Sequence, residues 1–317
     1  MMAERVQKQV FARGSTTYFN SSAFFPKAVL RDVESLYGFV RLADDFVDAV
    51  PQDVAGFRRF VAGWRTLAAG SEAGSKDGSG GVTGVQTSAT NSATAQNDTA
   101  SASSSADWNA GLSTLESTVI ADFVELCRRR TFDPAWTEAF LAAMEADLSK
   151  RIYNSEAETL SYVYGSAEVI GLYMARILDL PPEADHAACM LGRAMQYINF
   201  IRDVAEDSGF GRRYLPLNGA PWPADWLPNQ ADAEANPQAW EAFLHGHLER
   251  YRQWQSEAEA GYRKIPKRPR AAIRTAGDMY NWTGRVIAAN PLLVFERKVK
   301  PSKRHIVFRA LWNLLAG

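Results

Sequence analysis

Apolar residues recur through most of this chain at the three-and-four spacing of an α-helix. Seven segments of the chain show this period. Pro-containing breaks lie between them at 133–134, 181–182 and 215–230. No segment shows the alternation that is typical of a half-buried strand. We therefore predict an all-α fold in a single domain over residues 1–317. In the segment VESLYGFVRLADDFVDAV, the apolar positions of one face are Val33, Leu36, Tyr37, Val40 and Val47.

One stretch, residues 70–106, departs from this pattern. It consists mostly of Gly, Ser, Thr and Ala, with almost no large apolar residue. Such a segment cannot bury enough surface to offset the entropy lost on ordering it. Because the helical patterns on both sides look like parts of one body, we predict a disordered loop within the domain.

Composition excludes several classes of protein. Of 317 residues, 46% are hydrophobic and 22% charged, with a net charge of -1. A nucleic-acid-binding protein would usually carry a basic excess, so we expect no nucleic-acid partner. The two cysteines form neither a disulfide framework nor a zinc motif, and no secretory signal or membrane-spanning run is evident. We therefore expect a cytoplasmic protein. His245 and His247 lie two apart and are expected at the surface.

The last segment, RKVKPSKRHIVFRALWNLLAG, is basic and then amphipathic. It has two interpretations. It could lie on the anionic inner surface of a membrane as a peripheral contact, or it could be a final helix docked on the core. The apolar residues that fall on one face are Phe308, Leu311, Trp312 and Leu315.

Two acidic pairs interrupt apolar helical patterns. Asp44 and Asp48 are four residues apart, as are Asp203 and Asp207, and this spacing places both members of a pair on one helix face. Two facing pairs would offer the oxygen ligands that suit Mg²⁺ and a diphosphate. The other interpretation is a solvated surface, but the apolar context and the nearby arginines, Arg41 and Arg202, favour a site.

Both acidic segments resemble signatures of the squalene/phytoene synthase family. The first is LYGFVRLADDFVD, at 36–48; the second is YINFIRDVAEDSGFGRRYLP, at 197–216, with an Asn-x-x-Arg-Asp-x-x-Glu-Asp core. The resemblance extends from about residue 15 to about residue 303, without the Ser-rich stretch. It implies an isoprenoid synthase fold, a helical bundle around a central apolar cavity. It also implies an enzyme that joins two allylic prenyl diphosphates head to head with Mg²⁺, or Mn²⁺ in its place.

The resemblance assigns roles to residues that match the family's motifs. The residues matching metal-binding positions are Asp44, Asp48, Asn199, Asp203 and Asp207. The same four aspartates, with Tyr162 and Arg202, match catalytic positions. The residues matching substrate-binding positions are Ser15, Thr17, Tyr37, Arg41, Gln196, Asn199, Arg212, Tyr214, Tyr280 and Arg297.

Some of these residues have a second interpretation. Ser15 and Thr17 could serve only as helix N-caps. Arg212 could be solvated, and Arg202 could pair with Glu206 one turn on. Glu168 stands where the family often has glycine. Facing the apolar cavity it would need a partner or a proton, whereas it could instead point at another helix.

The resemblance favours the condensation of two geranylgeranyl diphosphates to phytoene through a cyclopropylcarbinyl diphosphate. The first alternative is a C30 synthase making squalene, presqualene diphosphate or dehydrosqualene from farnesyl diphosphate, with NADPH needed only for squalene. The second is a non-catalytic assembly protein on the same scaffold. The first motif also fits chain-elongating prenyltransferases and terpene cyclases, but the second motif argues against both.

Overall fold

A computed structural model describes residues 25–76 and 108–316. Within these ranges the chain is helical, and the β-type pairing recorded is an isolated bridge between Ile152 and Arg213. The predicted all-α class is confirmed. Ser15 and Thr17 lie outside the described residues. None of the helices in the described ranges has the length and hydrophobicity needed to cross a membrane.

The helices of the described ranges are numbered here in chain order. They are α1 (Lys27–Asp48), α2 (Val54–Lys76), α3 (Thr114–Arg130), α4 (Pro134–Ala146), α5 (Glu156–Val163), α6 (Val169–Ile177), α7 (Asp185–Arg202), α8 (Val204–Gly209), α9 (Gln230–Ala235), α10 (Pro237–Glu259), α11 (Lys267–Ala289), α12 (Leu293–Glu296) and α13 (Lys303–Ala316).

Short polar residues set several helix starts. The Ser113 hydroxyl accepts the backbone N–H of Glu116, and the Glu116 carboxylate accepts that of Ser113, which forms a capping box at α3. Asp133 caps α4 ahead of Pro134 at the first helical position. These caps satisfy N–H groups that have no partner inside the helix.

The stretch predicted as a loop, 70–106, starts inside helix α2, which continues to Lys76. The low content of large apolar residues therefore did not mark the helix end. Residues 77–106 of the predicted loop lie outside the described residues.

A π-helical turn, Tyr164–Glu168, interrupts the helix predicted across α5 and α6. Glycines bring its backbone close to two neighbouring helices. A Cβ on Gly165 would lie 2.2 Å from the carbonyl oxygen of Ala139 in α4, and one on Gly192 in α7 would lie 2.3 Å from that of Ala167. The turn is therefore wedged between α4 and α7 at backbone distance.

Helix α7 lies near the centre and packs against α6, α10 and α11. Its contact with α10 buries His247, which the spacing argument wrongly placed at the surface. The His247 ring lies between the Tyr197 hydroxyl, at 2.7 Å, and the Pro216 carbonyl, at 3.1 Å. Burial lowers the pKa of His247 to about 4, so it is neutral at pH 7.

Replacing Gly192 by alanine tests the close approach of α7 to the π turn. We expect Gly192→Ala to lower the free energy of unfolding by about 1–3 kcal/mol, because the new methyl group meets backbone that cannot move aside. Gly246→Ala on α10 is the matched control, since a Cβ there meets nothing within 4 Å. It should raise stability by about 0.5–1 kcal/mol through helix propensity. Urea unfolding would measure both, and equal effects would contradict the proposed close packing.

Candidate active site

Helices α1 and α7 each carry one stripe of side chains that ends in a pair of acids, preceded by uncharged residues. In α1 the stripe runs from Tyr37 and Val40 to Asp44 and Asp48. Each step is three or four residues, so successive members lie on one face about 5–6 Å apart. In α7 and its continuation α8 the corresponding stripe is Gln196, Asn199, Asp203 and Asp207.

The N-terminal ends of both stripes, Tyr37 and Val40 on α1 and Gln196 and Asn199 on α7, line one cavity of about 310 Å³. Its walls come from α1, the π turn and α6, α7 and α11, with one residue from the end of α10. The resemblance implied such a cavity inside a helical bundle, and the structure has it. Four of the predicted site residues line it, namely Tyr37, Gln196, Asn199 and Tyr280.

Two buried polar atoms in the cavity wall have no hydrogen-bond partner within the described residues. They are the Asn199 Oδ1 atom and the Ser166 hydroxyl. A buried acceptor without a partner costs about 1–3 kcal/mol, so it usually marks a place where a ligand, ion or water binds. Asn199 stands one turn before Asp203, at the junction between the cavity and the acidic end of the stripe.

The acidic ends of the stripes meet at a second pocket, of about 640 Å³. Asp48 from the first motif and Asp203 and Asp207 from the second all line it. Asp44 lies one turn before Asp48 on α1 and is half-buried. The two predicted pairs are thus brought to one place by the packing of distant segments. The other charged side chains that line this pocket are Arg151, Glu206, Arg212 and Lys298.

The carboxylates in this pocket repel one another. Burial raises the pKa of Asp44 to about 7, with a further contribution from the charge of Asp48. Burial likewise raises the pKa of Asp207 to about 8, and the charge of Asp203 adds to it. No Lys, Arg or His in the described ranges lies within ion-pair distance of the Asp207 carboxylate. The Asp207 carboxylate therefore has no cationic partner of its own within the described residues.

Besides Arg151, four cations line or flank the acids. Arg41 is 3.0 Å from Asp44, and it also contacts Asp45 at 2.6 Å. Arg202 pairs with Asp203, the residue next to it, whereas the sequence suggested Glu206 as its alternative partner. Glu206 instead pairs with Lys298.

Arg212 and Lys298 reach the pocket from outside the two stripes. Arg212 approaches Asp48 at 3.4 Å. Its side chain is only 11% exposed and its Nε atom has no partner in the described chain, so the alternative that Arg212 is solvated is wrong. Lys298 bridges Asp203, at 3.2 Å, and Glu206, at 2.5 Å.

Arg297, predicted from the resemblance to bind diphosphate, lines neither the cavity nor the polar pocket. Its side chain is exposed, and the next residue, Lys298, lines the pocket in its place. The backbone at Arg297 is extended after α12, so consecutive side chains point to opposite sides. The structure thus places Lys298, and not Arg297, against the polar pocket.

Tyr162 and Tyr214 share one buried partner, Asp147. The Tyr162 hydroxyl donates to Asp147 Oδ2 at 2.6 Å, and the Tyr214 hydroxyl donates to Oδ1 at 2.8 Å. Neither tyrosine lines the cavity, so the structure does not bring Tyr162 beside it as the resemblance implied. Burial raises the pKa of Asp147, and the two hydroxyls oppose that rise.

Sequence reasoning missed Asp147 because it is one acid just beyond the end of α4, without a repeated motif. Its backbone carbonyl accepts from Gln52, at 3.0 Å, and from Arg212, at 3.3 Å. Asp147 thus joins the tyrosine pair to the wall of the polar pocket. The only signal available in the sequence was an acidic residue following an apolar helix.

Glu168 points away from the cavity. It is buried and accepts from Arg193 Nε at 2.7 Å, while the Arg193 guanidinium lies over the Trp254 ring at 5.3 Å. This confirms the alternative in which Glu168 faces another helix. The departure from the family's glycine is therefore accommodated by an ion pair between the π turn and α7.

No three or more His, Cys, Asp or Glu side chains within residues 25–76 and 108–316 are arranged to hold a metal ion by themselves. Mg²⁺ often binds through one or two carboxylates, several waters and substrate phosphates. The donors present are carboxylate oxygens and the unpartnered Asn199 Oδ1 atom, all of which are hard ligands.

A family model described as squalene/phytoene synthase matches residues 11–305. The chain is 28% identical over 284 residues to a 15-cis-phytoene synthase of Enterobacter agglomerans, covering 86% of this chain and 81% of that protein. It is 26% identical over 302 residues to a phytoene synthase of Pseudescherichia vulneris, covering 93% and 85%.

Solved structures give the same architecture at lower identity. A dehydrosqualene synthase crystallised with a ligand matches with a TM-score of 0.70 and 16% identity, covering 99% of this chain and 95% of that one. A squalene synthase from Alicyclobacillus acidocaldarius matches with a TM-score of 0.65 and 14% identity, covering 90% and 93%. At these identities the likeness establishes the fold.

The role of Asp147 can be tested by removing its acceptor atoms. We expect Asp147→Ala to lower the free energy of unfolding by about 2–4 kcal/mol, because two buried hydroxyls lose their partner. Asp147→Asn should cost less than half as much, since a carboxamide can still bond to both hydroxyls. Urea unfolding of both variants would measure this, and equal losses would contradict the proposed hydrogen-bonding role.

The burial of Asp44 and Asp207, together with repulsion from neighbouring carboxylates, should make stability depend on pH. Asp44 and Asp207 have folded-state pKa values of about 7 and about 8, above the ordinary 3.8. The folded state therefore binds protons more tightly, and the resulting stability is present at low pH and lost as pH rises towards 8. In EDTA at pH 8, Asp207→Asn or Asp44→Asn should raise Tm by about 2 °C or more.

That gain should shrink towards zero near pH 4, where the native carboxyls are protonated when folded. Asp225→Asn, at an exposed position outside both pockets, is the control and should change Tm equally little at either pH. Differential scanning calorimetry would measure all three variants. A gain in Tm that is independent of pH would show that repulsion between carboxylates is not its cause.

Proposed function

The chain belongs to the squalene/phytoene synthase family, and from this membership we propose that it joins two geranylgeranyl diphosphates head to head to form phytoene. The family match covers most of the chain, including both acidic motifs. The choice of a C40 product is supported by the relatives at 26–28% identity, which are named phytoene synthases. The structural neighbours named for C30 products are less than 20% identical and support the fold.

The observation that carries this proposal is the meeting of both acidic pairs at the mouth of an apolar cavity. Diphosphate groups need cations and hydrogen-bond donors, whereas prenyl chains need an apolar surface. The polar pocket supplies cations and donors through Arg212 and Lys298, and the cavity supplies the apolar surface. Because the two stripes connect them, one amphiphilic substrate can occupy both regions.

Magnesium fits the residues present. Asp207 has no cation within ion-pair distance among the described residues, and the Asn199 Oδ1 atom has no partner. Asp44, Asp48, Asp203 and Asp207, with Asn199, would hold the metal through oxygen, the ligand that Mg²⁺ prefers. When bound, Mg²⁺ neutralises the negative charge that develops on a departing diphosphate.

The arginines and the lysine would hold the diphosphates. Arg41, Arg202 and Lys298 are paired with acids in the substrate-free chain, and phosphate oxygens can replace those partners. A guanidinium presents a planar fork of donors that matches two phosphate oxygens. The proposed role of Arg212 is the same, since its buried Nε atom has no partner.

The cavity would protect the carbon chemistry from water. In the proposed reaction the C–O bond of one substrate breaks, and the double bond of the second attacks the allylic cation. Loss of a first proton closes the ring of a cyclopropylcarbinyl diphosphate. Its C–O bond then breaks, the skeleton rearranges, and a second proton is lost, so that two diphosphates leave in total and can take up the two protons. The rings of Tyr37 and Tyr280 line the cavity, where aromatic faces can stabilise positive charge.

This route to phytoene needs no reductant. NADPH would be consumed only if the product were squalene, the C30 alternative. Incubation with Mg²⁺ and either geranylgeranyl or farnesyl diphosphate, with and without NADPH, separates these possibilities. Mass analysis of the extracted hydrocarbon should show a C40 product with a central conjugated triene from the C20 substrate. The yield of this product should be the same with and without NADPH.

The second motif gives a direct test of the site. We expect Asp203→Asn to lower kcat by at least about 100-fold, because one of the acids that would hold Mg²⁺ beside the diphosphate loses its charge. The fold should be retained. Asp179→Asn is the matched control, since this aspartate is 79% exposed and lines neither pocket. Its kcat should equal that of the unmodified protein.

Circular dichroism should show the same helix content in both variants. Activity of Asp203→Asn close to that of the control would contradict the proposed site. Absence of turnover by the unmodified protein with every substrate and metal would favour the non-catalytic assembly protein.

A further inference from the structure

The last helix, α13, turns a stripe of large apolar side chains to the solvent. The stripe follows the helical spacing, with members four residues apart in two adjacent rows. Only three other large apolar residues of the described chain, Val50, Tyr164 and Phe210, are comparably exposed, and they are scattered. A contiguous patch marks an interaction surface, whereas single exposed residues do not. The members of the stripe, between 53% and 83% exposed, are Val307, Phe308, Leu311, Trp312 and Leu315.

The opposite face of α13 is fixed to α11. Ile306 and Ala310 are buried there. Asn313 Nδ2 donates to Asp278 Oδ2 at 2.7 Å, and Arg309 pairs with the same carboxylate at 2.7 Å. The helix is therefore docked on the body, and its apolar stripe is held in a fixed orientation.

Cations stand beside the stripe without acidic partners. Lys303 and Arg304 lie one turn before Val307 and Phe308 on the same face. The whole segment 297–316 contains no acidic residue. Lys298 and Arg309 are paired, but none of the exposed Arg297, Lys300, Lys303 and Arg304 has an ion pair within the described chain.

We propose that α13 lies on an anionic lipid surface, with its apolar stripe in the headgroup region and its cations against lipid phosphates. An amphipathic helix with cations at its apolar edge has this preference. A second copy of the chain fits less well. It could cover the apolar stripes but would bring two Lys303–Arg304 clusters towards each other. An anionic membrane satisfies both the apolar and the charged part of the surface.

The position of this surface gives it a use in the proposed reaction. One face of α11 lines the cavity through Ile273, Ala276 and Tyr280, and another carries Asp278 against α13. A single helix therefore separates the cavity from the proposed membrane contact. The path of a hydrocarbon product from the cavity to the bilayer would therefore be short. This consequence rests on the proposed function, whereas the proposed lipid contact does not depend on it.

Vesicle sedimentation tests the contact without reference to activity. The full chain should sediment with vesicles containing about 30% phosphatidylglycerol at least about tenfold more strongly than with pure phosphatidylcholine. Phe308→Glu/Trp312→Glu should reduce binding to the anionic vesicles by at least about tenfold. Lys303→Glu/Arg304→Glu should reduce it by a similar factor and weaken its dependence on salt.

The control is Arg58→Glu/Arg59→Glu, which makes the same charge change on the exposed face of α2 and should bind like the unmodified protein. Thermal unfolding would verify that every variant is folded, as expected for substitutions at exposed positions. Unchanged binding of the Phe308/Trp312 variant, or equal binding to neutral and anionic vesicles, would overturn the proposal. So would a dimer, detected by light scattering, that the Phe308/Trp312 variant abolishes while vesicle binding is absent.

Discussion

The burial of carboxylates that also repel one another, beside an apolar cavity, is the constraint on which this structure depends. Asp44 and Asp207 come from segments more than 150 residues apart, yet both have pKa values near or above 7 because burial disfavours their charge. Such an arrangement is unstable by itself and becomes favourable when cations enter. The scaffold must therefore hold acids together against their repulsion, and helix packing elsewhere provides the rigidity to do so.

The cations already in the site make it ready for exchange. Arg41, Arg202 and Lys298 are each held by an acid, so they are positioned before any substrate arrives. Under the proposed function, a diphosphate would take over these cations and a divalent ion would take over the acids, so that little side-chain movement would be needed. The buried Asp147 accepts hydrogen bonds from two tyrosine hydroxyls through its carboxylate. Its backbone carbonyl accepts from Arg212 and so helps to position this arginine in the polar pocket.

Small residues determine the shape of the cavity. Gly165 and Gly192 let the π turn approach α4 and α7 at distances that no side chain would allow. The turn also carries Glu168 to the outer side of α7, where Arg193 neutralises it. Glu168, whose charge would be costly in an apolar cavity, therefore does not line it. The cavity wall is apolar because the backbone geometry decides which side chains face inward.

The sequence alone determined the helical class, the two acidic motifs and the amphipathic character of α13, because helical period and four-residue spacing are local properties. Through the family resemblance it also indicated four cavity residues, of which Tyr37, Gln196 and Asn199 lie on the same stripes as the acids. Only the tertiary structure decided that Lys298 lines the pocket instead of Arg297, that His247 is buried, and that Tyr162 bonds to Asp147. These outcomes depend on which face of one segment meets another far along the chain, and no local pattern carries that information.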